Sequence, residues 1–116
     1  MRYLVILNDP PYGNERSYNG LRLALALAKE PDSEVRVFLM GDAVWCAMAG
    51  QATPAGYYNL ERMLTLLCTR GGKLGVCGSC MDARGLKPEA LVPGAQRSSM
   101  EELTRWTQEA DRVIVF

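Results

Sequence analysis

Two cysteines stand in the run Gly75-Val76-Cys77-Gly78-Ser79-Cys80-Met81-Asp82-Ala83-Arg84-Gly85, which carries most of the chemistry the chain can offer. Cys77 closes a short apolar segment just before a short helical pattern. In α/β sheets reactive groups collect at this junction, on the carboxyl edge of the strands. Unpaired amides and the positive end of the helix favour thiolate over thiol there, and the thiolate is the nucleophile. Gly75 and Gly78 leave room around the sulfur, Ser79 opens the helix, and Arg84 lies about two helical turns further on, where it could share the face of Cys77. Cys77 and Cys80 are therefore the candidate reacting residues. Gly78, Ser79 and Arg84 are the candidates to bind around them.

The pair also has C-x-x-C spacing, so other readings compete. A redox dithiol after a strand fits an α/β chain, although the position late in the sequence is awkward for it. A zinc or iron–sulfur site lacks a second C-x-x-C and any histidine, and Cys46 and Cys68 sit at irregular spacing on helical segments. All four cysteines could instead be small buried apolar residues, inert in a non-catalytic oligomeric binding module. That suits Cys46 and Cys68, but a core thiol needs no glycine-flanked turn, so it suits Cys77 poorly.

Composition narrows the chemistry further. The 116 residues hold 13 Lys+Arg against 13 Asp+Glu, four cysteines and no histidine. Ser-His-Asp and Cys-His catalysis and histidine-ligated metals are excluded. Zero net charge argues against direct nucleic-acid binding. A hydrophobic fraction of 48% suffices for a core. The opening apolar run is too short for a signal peptide, and no stretch approaches the ~18 apolar residues that span a bilayer. A reducing cytoplasm is the expected location, with thiols free.

These residues need a scaffold, and the pattern supplies one. Arg2–Leu7 reads as a buried strand, followed by a turn and a helix from Glu15 to Lys29 that Pro31 stops. Val35–Met40 is a second strand, and Asp42 is placed to cap a short helix over Ala43–Met48. The loop from Gly50 to Gly56 precedes a helix over Leu60–Thr69 with a glycine C-cap. Lys73–Val76 is a third strand, and Ser79–Arg84 a short helix ended by Gly85. Ala90–Val92 is expected as a small strand or extended segment, Ser98 with Glu101 as the capping box of the last helix, and Asp111–Phe116 as a terminal strand whose apolar residues need burial on both faces. Strands alternating with helices predict a three-layer α/β sandwich: a mostly parallel five-stranded sheet with helices on both faces, one domain over residues 1–116.

At the Cys77 turn the sequence resembles the DsrE/TusD family of sulfur-relay proteins, within the wider DsrE/DsrF-like superfamily. The resemblance takes in Pro11-Tyr12-Gly13, Val37-Phe38-Leu39, Thr53-Pro54, the Cys77 turn running into Ala83-Arg84-Gly85, and Asp111-Arg112-Val113-Ile114-Val115-Phe116. It implies a small α/β sandwich and sulfur transfer. Cys77 occupies the position where relay members accept sulfane sulfur as a persulfide and hand it to the next thiol. It also implies partners that are sulfur donor and acceptor proteins or small persulfides, and assembly as a homotrimer or homohexamer or with homologous subunits. No metal, nucleotide or other cofactor is needed. Cys80 is an addition to the bare relay pattern, and leaves room for internal discharge of a persulfide as a disulfide.

Other features are less directive. Asp9-Pro10-Pro11-Tyr12-Gly13-Asn14 follows the first strand without a Walker or Rossmann glycine pattern, so it is read as a rim on which Tyr12 could cover the sulfur. Tyr57 and Tyr58 belong to a second rim or simply anchor their loop. Trp45 is read as an interface residue. Asp82 and Glu101 are read as solvated surface, and Arg62, Arg70 and Lys73 as scattered charges.

Overall fold

The computed structural model describes residues 1–55 and 57–116. Its strands are β1 (Arg2–Leu7), β2 (Glu34–Leu39), β3 (Lys73–Cys77), β4 (Ala95–Ser98) and β5 (Arg112–Val115). Its helices are α1 (Arg16–Ala28), α2 (Leu60–Thr69), α3 (Gly78–Ala83) and α4 (Met100–Glu109). The sheet runs β4-β3-β2-β1-β5 and every neighbouring pair is parallel. From β1 the chain steps to β2, β3 and β4 in one direction, then β5 returns to the far edge beside β1. Right-handed crossovers therefore place α1, α2 and α3 on one face and α4 on the other.

The central strands are near-continuous apolar runs because both their faces are covered. Val5, Leu7, Val37, Leu39 and Val76 are fully buried, as are Leu21 of α1 and Leu60, Leu64 and Leu67 of α2. On the α4 side Trp106 meets Phe38 edge-on, ring centroids 6.0 Å apart. Gly75 permits this approach: a Cβ there would lie 3.0 Å from the Phe38 ring and 3.3 Å from Trp106. Its bareness thus serves the core beside the sulfur rather than the sulfur itself. Arg36 is buried under the same indole, 5.4 Å from the ring centre, and its Nη1 reaches Glu109 Oε2 at 3.4 Å.

The expected helices α1 and α2 are present with their ends. Asn59 caps α2 by accepting from the amide of Arg62 at 3.0 Å, and Gly71 and Gly72 close it. Trp45, read from sequence as an interface residue, packs half-buried against the core. Four local expectations are corrected.

The short helix after β2 is a 3-10 helix over Gly41–Ala47, and Asp42 does not cap it; its carboxylate takes Arg84 instead. The fourth strand is Ala95–Ser98, not Ala90–Val92. Leu91 makes only an isolated antiparallel bridge to Met48, and Gly94, at φ +93°, turns the chain into the sheet beyond it. Ser99 caps α4, accepting from the amide of Glu102 at 3.2 Å, while Ser98 Oγ donates to the Glu102 carboxylate at 2.5 Å. The N-cap is therefore one residue later than expected, and Glu102 accepts from the Ser98 hydroxyl rather than closing a box on the Ser99 amide. Finally, β5 is an edge strand, and Val113 and Val115 are exposed rather than buried on both sides.

Candidate active site at Cys77

Cys77 ends β3 and is at the same time the residue from which α3 starts, with φ −55° and ψ 116°. No loop separates strand from helix, so the sulfur is fixed by both. It alternates with the buried Val76, and β-pleating places it on the same side as Gly75, facing α4. In the ladder it pairs with Ser98 of β4. The residue is 9% exposed and opens onto a hollow of about 260 Å³. Phe38, Met40 and Met100 give this hollow apolar walls, and Arg97, Ser98 and Ser99 give it a polar side.

The sulfur is surrounded by groups that favour its anion. Ser79 Oγ lies 3.4 Å away. Burial pushes the Cys77 thiol up, but hydrogen bonding from the Cys80 thiol, the Ser79 hydroxyl and the amides of Cys80 and Ser79 outweighs it and holds the thiol below its ordinary value. The other three cysteines go the opposite way. Burial pushes Cys46 up to about 12 and raises Cys68 as well. Cys80 is raised first by burial and then by its bond to Cys77, although the Gly41 amide donates to its sulfur at 3.2 Å. All four thiols are free.

The remaining expected site residues divide. Gly78 and Ser79 join Cys77 at the hollow. Arg84 does not: its Nε bonds Asp42 Oδ1 at 2.9 Å and its Nη1 donates to the carbonyl of Cys80 at 3.1 Å. It therefore braces the helix at Cys80, because a residue seven places along a helix this short has already passed its end. Nor does Tyr12 cover the sulfur. Its hydroxyl donates to Gln51 Oε1 at 2.5 Å, and its ring lines a separate hollow with Glu15 and Tyr58. Tyr58 itself stacks on Tyr18, centroids 4.1 Å apart, and donates to Glu15, so these tyrosines tie two loops together. The expected loop from Gly50 reaches Gly56, which lies outside the described residues.

Arg97 is the site residue that sequence reasoning missed. From edge strand β4 its Nη1 donates to the Gly78 carbonyl at 3.1 Å, and its fork grips the Asp82 carboxylate at 2.7 and 2.8 Å. A Cβ on Gly78 would come within 2.9 Å of the guanidinium carbon, so the glycine makes room for the arginine. Asp82, read as solvated surface, is indeed exposed, and it meets the turn only through its grip on Arg97. Among the described residues no cluster of three or more Cys, Asp or Glu side chains is arranged to hold a metal ion. Nor is any helix long and apolar enough to cross a membrane.

A five-stranded parallel sheet covered by helices, with a cysteine where a strand passes directly into a helix, places the chain in the α/β class. Within it, the chain belongs to the DsrE/DsrF-like family, which it matches over residues 1–116. It is 37% identical over 116 residues to protein YchN of Escherichia coli strain K12, covering 99% of this chain and 98% of that one. The crystal structure of the E. coli YchN protein superposes with a TM-score of 0.90 at 38% identity, over the full length of both chains. At 27% identity, over 100% of both chains, the chain also resembles the sulfurtransferase TusD of Salmonella typhi.

Proposed function

We propose that this protein is a sulfur carrier: Cys77 accepts sulfane sulfur as a persulfide and passes it to a partner thiol. The observation that carries this reading is the contrast among the four cysteines. Cys77 alone is held below its ordinary value, and it faces the hollow, while burial raises Cys46, Cys68 and Cys80. Family membership and the likeness to a relative named as a sulfurtransferase support the same chemistry.

In the forward step the Cys77 thiolate attacks the outer sulfur of a donor persulfide. A new S–S bond forms on Cys77 and the S–S bond of the donor breaks. The donor sulfur leaves with the electron pair as a thiolate, and the proton stays on the transferred sulfur. Thiolate fraction, access and leaving-group acidity set the rate, as in thiol–disulfide exchange. The donors around Cys77 lower the first of these barriers, and the hollow meets the second. Discharge to an acceptor thiolate repeats the exchange in the other direction.

Incubation with a small persulfide donor followed by intact-mass measurement tests the proposal. The wild type is expected to gain one sulfur, and Cys77→Ser to gain none; equal gain by the variant removes Cys77 as the carrier. The reading extends to donor and acceptor proteins as partners, to work in the reducing cytoplasm, and to assembly as a homotrimer or homohexamer. The exposed Val113 and Val115 on edge strand β5 are apolar surface that assembly would cover. Light scattering of the purified chain checks the last point.

A second reading, dithiol–disulfide exchange between Cys77 and Cys80, is favoured by the mutual influence of the two thiols at the start of α3. It requires both sulfurs, whereas the carrier requires one.

A further inference from the structure

Arg97 touches the reactive turn from outside it. It belongs to β4, one step from the ladder pair Cys77 and Ser98, and forms part of the wall of the Cys77 hollow. Its guanidinium is held at three points: the Gly78 carbonyl and both oxygens of Asp82. These contacts bind the first residue of α3 and its fifth to the edge strand. The absence of a side chain at Gly78 is what allows the arginine to lie there.

We propose that Arg97 is a positioning residue for Cys77, fixing the strand-to-helix turn on which the sulfur sits and supplying positive charge beside it, with Asp82 governing how much of that charge the sulfur receives. The inference rests on Cys77 being the reacting sulfur, but not on the sulfur relay itself. The bidentate fork makes the arrangement specific to arginine, since lysine brings the charge without the two-point grip. The negative charge of the paired Asp82 carboxylate opposes that of the guanidinium at the sulfur.

Cys80 and Arg84 come from α3 and its end, with Arg84 paired to Asp42 from the turn after β2. Lys87 acts on Asp82 from beyond α3. From α4, Glu102 accepts from Ser98 and pairs with Arg105 at 2.9 Å. Arg97 is the cation that both shares the hollow and bonds the turn.

The test is the pH dependence of iodoacetamide alkylation at Cys77, read by peptide mass on the full-length protein. Arg97→Gln is expected to move the midpoint upward and to slow alkylation at neutral pH about three- to tenfold. Asp82→Asn leaves the guanidinium on the Gly78 carbonyl with its charge unshared, and is expected to move the midpoint downward. Arg97→Lys is expected to fall between wild type and Arg97→Gln. A purely structural brace predicts that loss of either partner disturbs the turn alike, so shifts of the same sign for Arg97→Gln and Asp82→Asn overturn the proposal. An unchanged midpoint in Arg97→Gln does so too. If Arg97→Gln fails to fold, as judged by circular dichroism, the Asp82→Asn midpoint decides alone, with a downward shift expected. Persulfide loading is measured separately: its absence in the wild type would end the carrier reading while leaving these midpoints meaningful.

Discussion

The missing side chain of Gly78 is filled by Arg97: where a Cβ would stand, the guanidinium carbon is 2.9 Å away and the Ser98 carbonyl oxygen is equally near. The arginine end can swing aside, but the Ser98 oxygen belongs to the backbone of the adjoining strand. Gly78→Ala is therefore expected to destabilise the fold by about 1–3 kcal/mol through overpacking. It should also release Arg97 from the turn. Urea unfolding measures the first effect, and wild-type stability in the variant would show that β4 yields more easily than its pairing implies.

The order in which the cysteines react is a second expectation. Cys77, depressed and opening onto a hollow, should be alkylated first at neutral pH, and at lower pH than an ordinary thiol requires. Cys46, fully buried and raised to about 12, should react last. Peptide mapping after short exposure to iodoacetamide gives the ranking, and a Cys77 no faster than Cys68 would contradict the activation argued for it.

Cys80→Ser separates the two sulfur chemistries. A carrier keeps its persulfide loading in this variant, whereas a dithiol exchanger loses turnover altogether. The serine also removes a thiol that hydrogen-bonds Cys77, so the Cys77 alkylation midpoint is expected to move. Loading measured by intact mass, beside a disulfide reduction assay, reads both outcomes.

Trp106 holds α4 to its face of the sheet. Its ring covers Phe38 and Arg36 and is 5% exposed. Trp106→Ala is expected to cost about 3–5 kcal/mol, as large aromatic truncations in cores do. It also uncovers Arg36, whose other partner is Glu109. A loss below ~1 kcal/mol in chemical denaturation would mean that α4 contributes little to this face.

Alkaline pH should weaken the protein through Cys46. Its folded value of about 12 lies above the ordinary 9.0, so above pH 9 the unfolded chain ionises this thiol while the folded chain keeps the proton. The folded state then binds more protons, and stability falls as pH rises from about 9 towards 12, by up to ~1.4 kcal/mol per unit. Cys68 and Cys80, also raised, act in the same sense, whereas Cys77, lowered, adds stability with rising pH only below pH 9 and is spent above it. Cys46→Ala is expected to flatten the slope of unfolding free energy against pH; an unchanged slope would show that Cys46 is not its source.

The parts of this architecture readable from sequence are those whose signal is local. Arg2–Leu7 and Val35–Leu39 announce themselves as apolar runs, and α1 and α2 by helical spacing, caps and stops. The strand-then-helix junction at Cys77 is legible because glycine, cysteine and serine are packed into so few residues. Strand β4 is not. Its Ala95-Gln96-Arg97-Ser98 has two exposed central residues at a sheet edge and no periodicity to detect, while Ala90–Val92 offers the apolar residues that mimic a strand. The same strand carries Arg97, and its end at Ser98 leaves Ser99 to cap α4.

Two residues named from sequence around the sulfur bond elsewhere for a related reason. Counting turns to Arg84 overruns a helix that stops at Ala83, and Tyr12 shares only a sheet edge with Cys77. Sheet edges are wide, however, and position on one does not specify neighbours. The turn bearing Tyr12 is held instead by Gln51 and the amide of Leu60, contacts between segments far apart in the chain. Long-range pairings of this kind, like Arg97 with Asp82, have no signature in spacing.

The pairing of Cys77 with Ser98 makes strand register a determinant of reactivity. Because side chains alternate along β3, a slip of one residue would turn the sulfur from the α4 hollow into the opposite layer. It would then be a packed apolar thiol of the kind Cys46 already is. A sulfur open to the hollow and an inert filler differ here by a single step of the ladder, so the backbone hydrogen bonds that hold β3 in the sheet also hold the Cys77 sulfur at its opening.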